Sequence, residues 1–79
     1  MMTVRECIEY YKSKVSHRLT HIWLCPNIVN NPKMGKDYVV ETSINSQLSE
    51  SLLNTEVTKH WLEPKECICI CYKYENNNV

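Results

Sequence analysis

Glu66-Cys67-Ile68-Cys69-Ile70-Cys71-Tyr72-Lys73-Tyr74 is the stretch on which the fold turns. Successive side chains of a strand point to opposite faces. Cys67, Cys69 and Cys71 therefore share one face, and Ile68, Ile70 and Tyr72 share the other. Both faces are apolar, which is the pattern of an interior strand rather than an edge. Glu63-Pro64-Lys65 just before it is a compact turn, so the residues further upstream are expected to form a hairpin with it.

Those upstream residues, 45–62, allow two readings. As one helix, Leu48, Leu52, Leu53, Val57 and Trp61 share a side. Against this, Thr55, Val57 and Thr58 are β-branched, and Asn54 is a common helix stop. The other reading, which is preferred, is a short helical turn over Gln47–Leu53, a stop at Asn54 and a strand over Glu56–Leu62. Further back, Tyr38-Val39-Val40-Glu41-Thr42-Ser43-Ile44 alternates, with Tyr38, Val40, Thr42 and Ile44 on one face of a half-buried antiparallel strand. Arg18 to Cys25 is rich in β-branched and aromatic residues and predicts another strand, stopped by Pro26. The 26–36 connection between these two strands is rich in turn residues, yet it carries Ile28, Val29 and Met34, which a purely solvated loop would not need.

The chain opens on a helix, expected over 3–16. Thr3-Val4-Arg5-Glu6 is a capping box, in which each side chain satisfies an amide of the other residue. Met2 and Cys7 stand at the positions of a hydrophobic staple. Val4, Cys7, Ile8, Tyr11 and Val15 form an apolar stripe at spacings of three and four. Glu6 and Glu9 lie near the start and Lys12 and Lys14 near the end, as the helix dipole favours. The order helix, strand, strand, short helix, strand, strand predicts an α+β fold: an N-terminal amphipathic helix on a roughly four-stranded antiparallel sheet. Residues 1–75 read as one domain and 76–79 as a disordered Asn-rich tail.

Composition narrows the function. The 79 residues form one domain with a thin core, burying only ~60% of the unfolded surface. Nine basic residues balance nine acidic ones, with no basic excess to neutralise phosphates, so direct nucleic-acid binding is disfavoured. No apolar run reaches the ~20 residues that cross a bilayer. The start leads straight into a charged amphipathic segment rather than a secretory leader. A soluble, cytoplasmic protein with reduced thiols is expected. A single Gly35 excludes Gly-rich phosphate loops.

The five cysteines, Cys7, Cys25, Cys67, Cys69 and Cys71, contain no Cys-x-x-Cys. Cys67, Cys69 and Cys71 repeat every ~6.6 Å along one strand face, and two of them with His60 or His21 make a secondary metal candidate. Buried cysteine behaves as a small hydrophobe, which is the preferred reading here. His21 and Cys25 stand ~13 Å apart along one strand, too far for a nucleophile and its base. No paired carboxylates stand out, and no catalytic residue or cofactor is expected. Trp23, Trp61 and Tyr72 read as core, whereas Tyr10 falls off the helix stripe and should be exposed. Tyr10, Met34, Asp37 and Tyr74 are the candidate partner-binding residues, because tyrosine is enriched at interfaces and loops carry function.

Three segments resemble small, largely uncharacterised α+β proteins of Firmicute phages and related mobile elements. They are the opening Met2-Thr3-Val4-Arg5-Glu6-Cys7-Ile8, the segment Ser49-Glu50-Ser51-Leu52-Leu53-Asn54-Thr55-Glu56-Val57 with its Leu-Leu and Glu-Val, and the alternating strand Cys67 to Tyr72. Together they cover about half the chain. The sequence departs from the family pattern in its long 26–36 connection and in lacking a Pro before Leu-Leu. The resemblance supports the strand over Glu56–Leu62 and implies a mobile-element origin. Taken with the small size, the absence of catalytic motifs and the interface-type aromatics, it leads to the expectation of a non-enzymatic protein that binds and inhibits a host defence protein such as a CRISPR nuclease, in the manner of anti-CRISPR proteins. Two alternatives stand beside it: a self-associating structural or regulatory accessory, for which a homodimer fits a thin core with open sheet edges, and a small Cys-based metal-binding module.

Overall fold

The computed structural model describes residues 1–15, 19–28, 39–63 and 66–74. Helix α1 (Val4–Lys14) is followed by β1 (His21–Ile28), β2 (Val40–Ser43), a single-turn helix α2 (Glu50–Leu53), β3 (Val57–Glu63) and β4 (Cys67–Tyr74). The strands form one sheet in the order β2-β1-β4-β3. The fold is α+β, as expected, with a correction to the sheet: β1 runs parallel to β4, while β1–β2 and β3–β4 are antiparallel.

The capping box forms as its residues dictate. The Thr3 hydroxyl accepts from the Glu6 amide at 3.2 Å, and the Glu6 carboxylate accepts from the Thr3 amide at 3.0 Å. These bonds hold the Glu6 carboxyl below the usual carboxylate range. The first residues are also stitched to β3: the Val57 amide donates to the Met2 carbonyl at 2.8 Å and the Val4 amide to the Thr55 carbonyl at 2.9 Å. Arg5 reaches α2, donating to Asn54 at 2.7 Å and pairing with Glu50. Both members of that ion pair are largely exposed, so its role is alignment more than stability.

The core lies between α1 and one face of the sheet. Val4, Cys7 and Ile8 from the helix meet Ile22 and Leu24 of β1 and Ile68 and Ile70 of β4. Leu48, Leu52, Leu53, Tyr11, Val57 and Tyr72 pack around this centre. The segment 45–62 takes the two-part form, with Ser49 capping α2 by accepting from the Leu52 amide and Asn54 closing it. Its second part is a strand because β4 supplies a partner from Glu63↔Cys67 to Val57↔Tyr72, with a bulge between Val57 and Lys59.

Two expectations need correction. Pro26 does not stop β1, which continues to Ile28 beside β4. The β2 pairing ends at Leu24↔Val40, so among the described residues β1 is unpaired on that side at Pro26, where a residue without an amide hydrogen is tolerated. Val40 is not half-buried but 57% exposed, because it lies at the free end of a short edge strand. Tyr38, Pro64, Lys65 and the 76–79 tail lie outside the described residues.

Truncating Ile68, which is fully buried, to alanine should cost about 2–5 kcal/mol of unfolding free energy. Thr3→Ala should cost about 1 kcal/mol through the lost cap, and Val40→Ala less than about 0.5 kcal/mol. Urea denaturation of the three variants measures that ranking.

Candidate functional site

With α1 over one face of the sheet, the alternation of each strand defines the other face. The register places its residues in rows. Glu41, Trp23, Cys69 and Trp61 align across all four strands, Ser43, His21, Cys67 and Glu63 form a second row, and Cys25, Cys71 and Lys59 form a third. No described helix covers this face. Trp23 is 41% exposed and Trp61 36%, while Cys69 between them is only 1% exposed. Neighbouring strands are ~4.8 Å apart, so the two indoles rise on either side of a floor of small thiols and shield it.

The rim of this face is polar and internally bonded. The Trp61 indole N–H donates to Glu63 Oε1 at 2.7 Å, and the Lys59 ammonium lies 5.5 Å from the Trp61 ring centroid. Such cation–π contacts contribute ~0.5–1 kcal/mol at exposed sites. On the opposite rim, His21 Nε2 stands 3.9 Å from Glu41. Asn27 donates to the Thr58 hydroxyl at 3.3 Å, and Thr58 in turn donates to the Cys71 carbonyl at 3.2 Å.

The cysteines are thiols. Burial pushes Cys69 up to about 12 and Cys7 up to about 11, and raises Cys67 and Cys71 as well. The thiolate is the nucleophile and the metal ligand, so raising these values withholds the reactive form at neutral pH. Cys71 also has the Cys25 thiol as its register neighbour, which adds to the upward shift. Cys67, Cys69 and Cys71 do share a face, as the alternation required. His60 does not join them: it pairs with Ile70, faces the helix side and is hydrogen-bonded through Nδ1 to the Tyr11 hydroxyl at 2.7 Å. Among the described residues no three His, Cys, Asp or Glu side chains are grouped to hold a metal ion.

Of the four candidate partner-binding residues, Tyr10 and Tyr74 lie among the described residues. Tyr10 is exposed on α1, with its ring edge-on to Tyr11 at 5.1 Å and to His60 at 6.3 Å, and with the Lys14 ammonium 5.6 Å from its centroid. Tyr74 is exposed at the end of β4, level with Ile28 of β1. Met34 and Asp37 lie outside the described residues.

The assignment of Trp23 and Trp61 to the core is corrected: both stand on the open face, and only Tyr72 of that trio packs against the core. The signal was present in the sequence, because Trp23 sits between Ile22 and Leu24 and must face away from them. A second feature is a shallow groove of about 690 Å³ between α1 and the residues leading into α2, lined by Arg5, Glu9 and Lys12 on one side and Gln47, Ser49 and Glu50 on the other. Its charges are mixed and partly spent on the Arg5–Glu50 pair. No helix among the described residues is long and apolar enough to cross a membrane. No protein-family model, curated protein or solved structure matches the chain.

The raised thiols give the fold a pH dependence of known sign. The folded values of Cys7 and Cys69, about 11 and about 12, lie above the ordinary thiol value of 9.0. The unfolded chain therefore ionises first, and the contribution is fully present below pH 9 and lost as pH rises toward 11–12. Urea midpoints measured across that range should fall, and Cys7→Ala should flatten part of the decline.

Proposed function

We propose that this chain is a non-enzymatic protein-binding protein that docks a partner on the open face of its sheet. The observation that carries this reading is the pair of exposed indoles, Trp23 and Trp61, aligned across the sheet on either side of Cys69. Tryptophan is the residue most enriched among interface hot spots, because it buries a large apolar body while its N–H retains a partner. An apolar surface of the partner packs on the exposed parts of the two indoles, and His21, Glu41, Lys59 and Glu63 form the polar rim that excludes water and sets orientation. The non-reactive reading of Cys7, Cys67, Cys69 and Cys71 is supported by their raised thiol values, which keep them protonated at neutral pH even where His21 and Glu63 flank Cys67 across the sheet. The resemblance to phage and mobile-element proteins, together with the small size of the chain and its exposed aromatics, favours as partner a host defence protein such as a CRISPR nuclease, inhibited by stoichiometric occlusion in the host cytoplasm.

The test is affinity capture from lysate of a Firmicute with intact defence systems, followed by titration of the captured partner. One partner at equal stoichiometry is expected, with no turnover of that partner by the chain. Trp23→Ala and Trp61→Ala should each weaken the complex about tenfold or more, as hot-spot truncations do, with the far-UV spectrum unchanged. A complex that survives both changes but is lost on Tyr10→Ala or Tyr74→Ala would move the contact to the helix side and sink this assignment.

A further inference from the structure

The outer edge of β3 is closed at its start and open along its length. At Glu56 the chain has neighbours on both sides: its carbonyl accepts from the Lys73 amide at 2.8 Å, and Thr3 bridges it from the other side. Beyond the bulge between Val57 and Lys59, β3 is the last strand of the sheet, with no strand on its outer edge among the described residues. Lys59-His60-Trp61-Leu62-Glu63 thus turns a row of backbone donors and acceptors outward. Trp61 is 36% and Leu62 39% exposed. An open edge of this kind is a template for another strand.

The five residues are complementary to themselves. In an antiparallel pair with a two-fold axis at Trp61, Lys59 faces Glu63 of the second copy, His60 faces its Leu62, and Trp61 faces its Trp61. A continuous sheet requires paired residues to share a face. Among registers that meet this condition, centring on His60 sets Lys59 against Trp61, and centring on Leu62 sets Trp61 against Glu63. Only the Trp61-centred register places opposite charges across from each other, and the symmetry does so twice. The side chains are already ordered for it: Lys59, Trp61 and Glu63 lie on one face, with the ammonium over the indole and the indole N–H on the carboxylate. A lysine on an edge strand ordinarily deters strand addition, but here the facing Glu63 offsets it, and the bulge lies outside the paired window.

We propose that the chain forms a two-fold homodimer by antiparallel pairing of residues 59–63 of β3, giving one eight-stranded sheet. This inference does not depend on the partner reading above. The test is mass in solution, by light scattering and sedimentation, from micromolar to millimolar concentration. The native chain should shift from monomer to dimer. Lys59→Glu and Glu63→Lys should each weaken dimerisation about tenfold or more, since like charges directly opposite are destabilising and each change acts at two symmetric pairs. Mixing the two single variants should restore a dimer that neither forms alone, and the double variant K59E/E63K should dimerise by itself. Recovery in the mixture also shows that both variants are folded. A native chain that stays monomeric at millimolar concentration, single variants that dimerise as the native chain does, or a mixture and double variant that fail to recover would each overturn the proposal. So would a native monomer that accepts a strand only from a different protein.

Discussion

The structure depends on β4 being held between two strands that run in opposite directions while its isoleucines meet α1. Ile68 and Ile70 are almost fully buried against Val4, Cys7 and Ile8. The same strand carries the parallel ladder to β1 and the antiparallel ladder to β3. Without β4, β1 and β3 have no common partner, and the helix has no floor. The helix is fixed against this centre at its N-terminus, where residues 2–4 bond to the chain at 55–57. A chain of 79 residues has one long helix among its described residues to spend on a sheet with two faces. With Ile68 and Ile70 on the covered side, no helix among the described residues lies over the cysteine side.

That division was partly legible in the residues. Alternation in Cys67–Tyr72 identifies an interior strand and separates the isoleucine face from the cysteine face. The capping box, the apolar stripe and the stop at Asn54 each mark a boundary that local chemistry enforces. Alternation does not say which strand lies beside which, because pairing is decided by contacts distant in the chain. The parallel β1–β4 pair was therefore missed and an all-antiparallel sheet expected. Pro26 reads as a terminator only if both sides of its strand are paired, and the extent of β2 decides that. Reading Trp23 and Trp61 as core residues of a small domain misplaced them. The period of the strand, with Trp23 between Ile22 and Leu24, was the better guide.

The composition of the open face follows from its place in the fold. Among the described residues no helix lies over this face, yet Cys69, set between Trp23 and Trp61 across the sheet, is nearly inaccessible. Burial raises the thiol values of Cys67, Cys69 and Cys71 and keeps these thiols protonated at neutral pH, which withholds the nucleophilic thiolate. The charged residues sit at the edges of the face and hold one another or the indole. This is the arrangement of an apolar centre with a polar rim that protein interfaces share.

Trp61 belongs to both the open face and the open edge, and this couples the two proposed contacts. Pairing at β3 keeps both copies' open faces on the same side of one sheet. Two Trp61 side chains then stand at the two-fold axis, with a Trp23 farther out in each copy. A partner that is itself two-fold, or that carries two equivalent segments, meets both faces at once, and the second contact forms at the effective concentration set by the first. The gain requires no residue beyond those already exposed. The coupling is reciprocal by linkage: a partner bound across both faces stabilises the dimer by the same factor by which the dimer strengthens the partner.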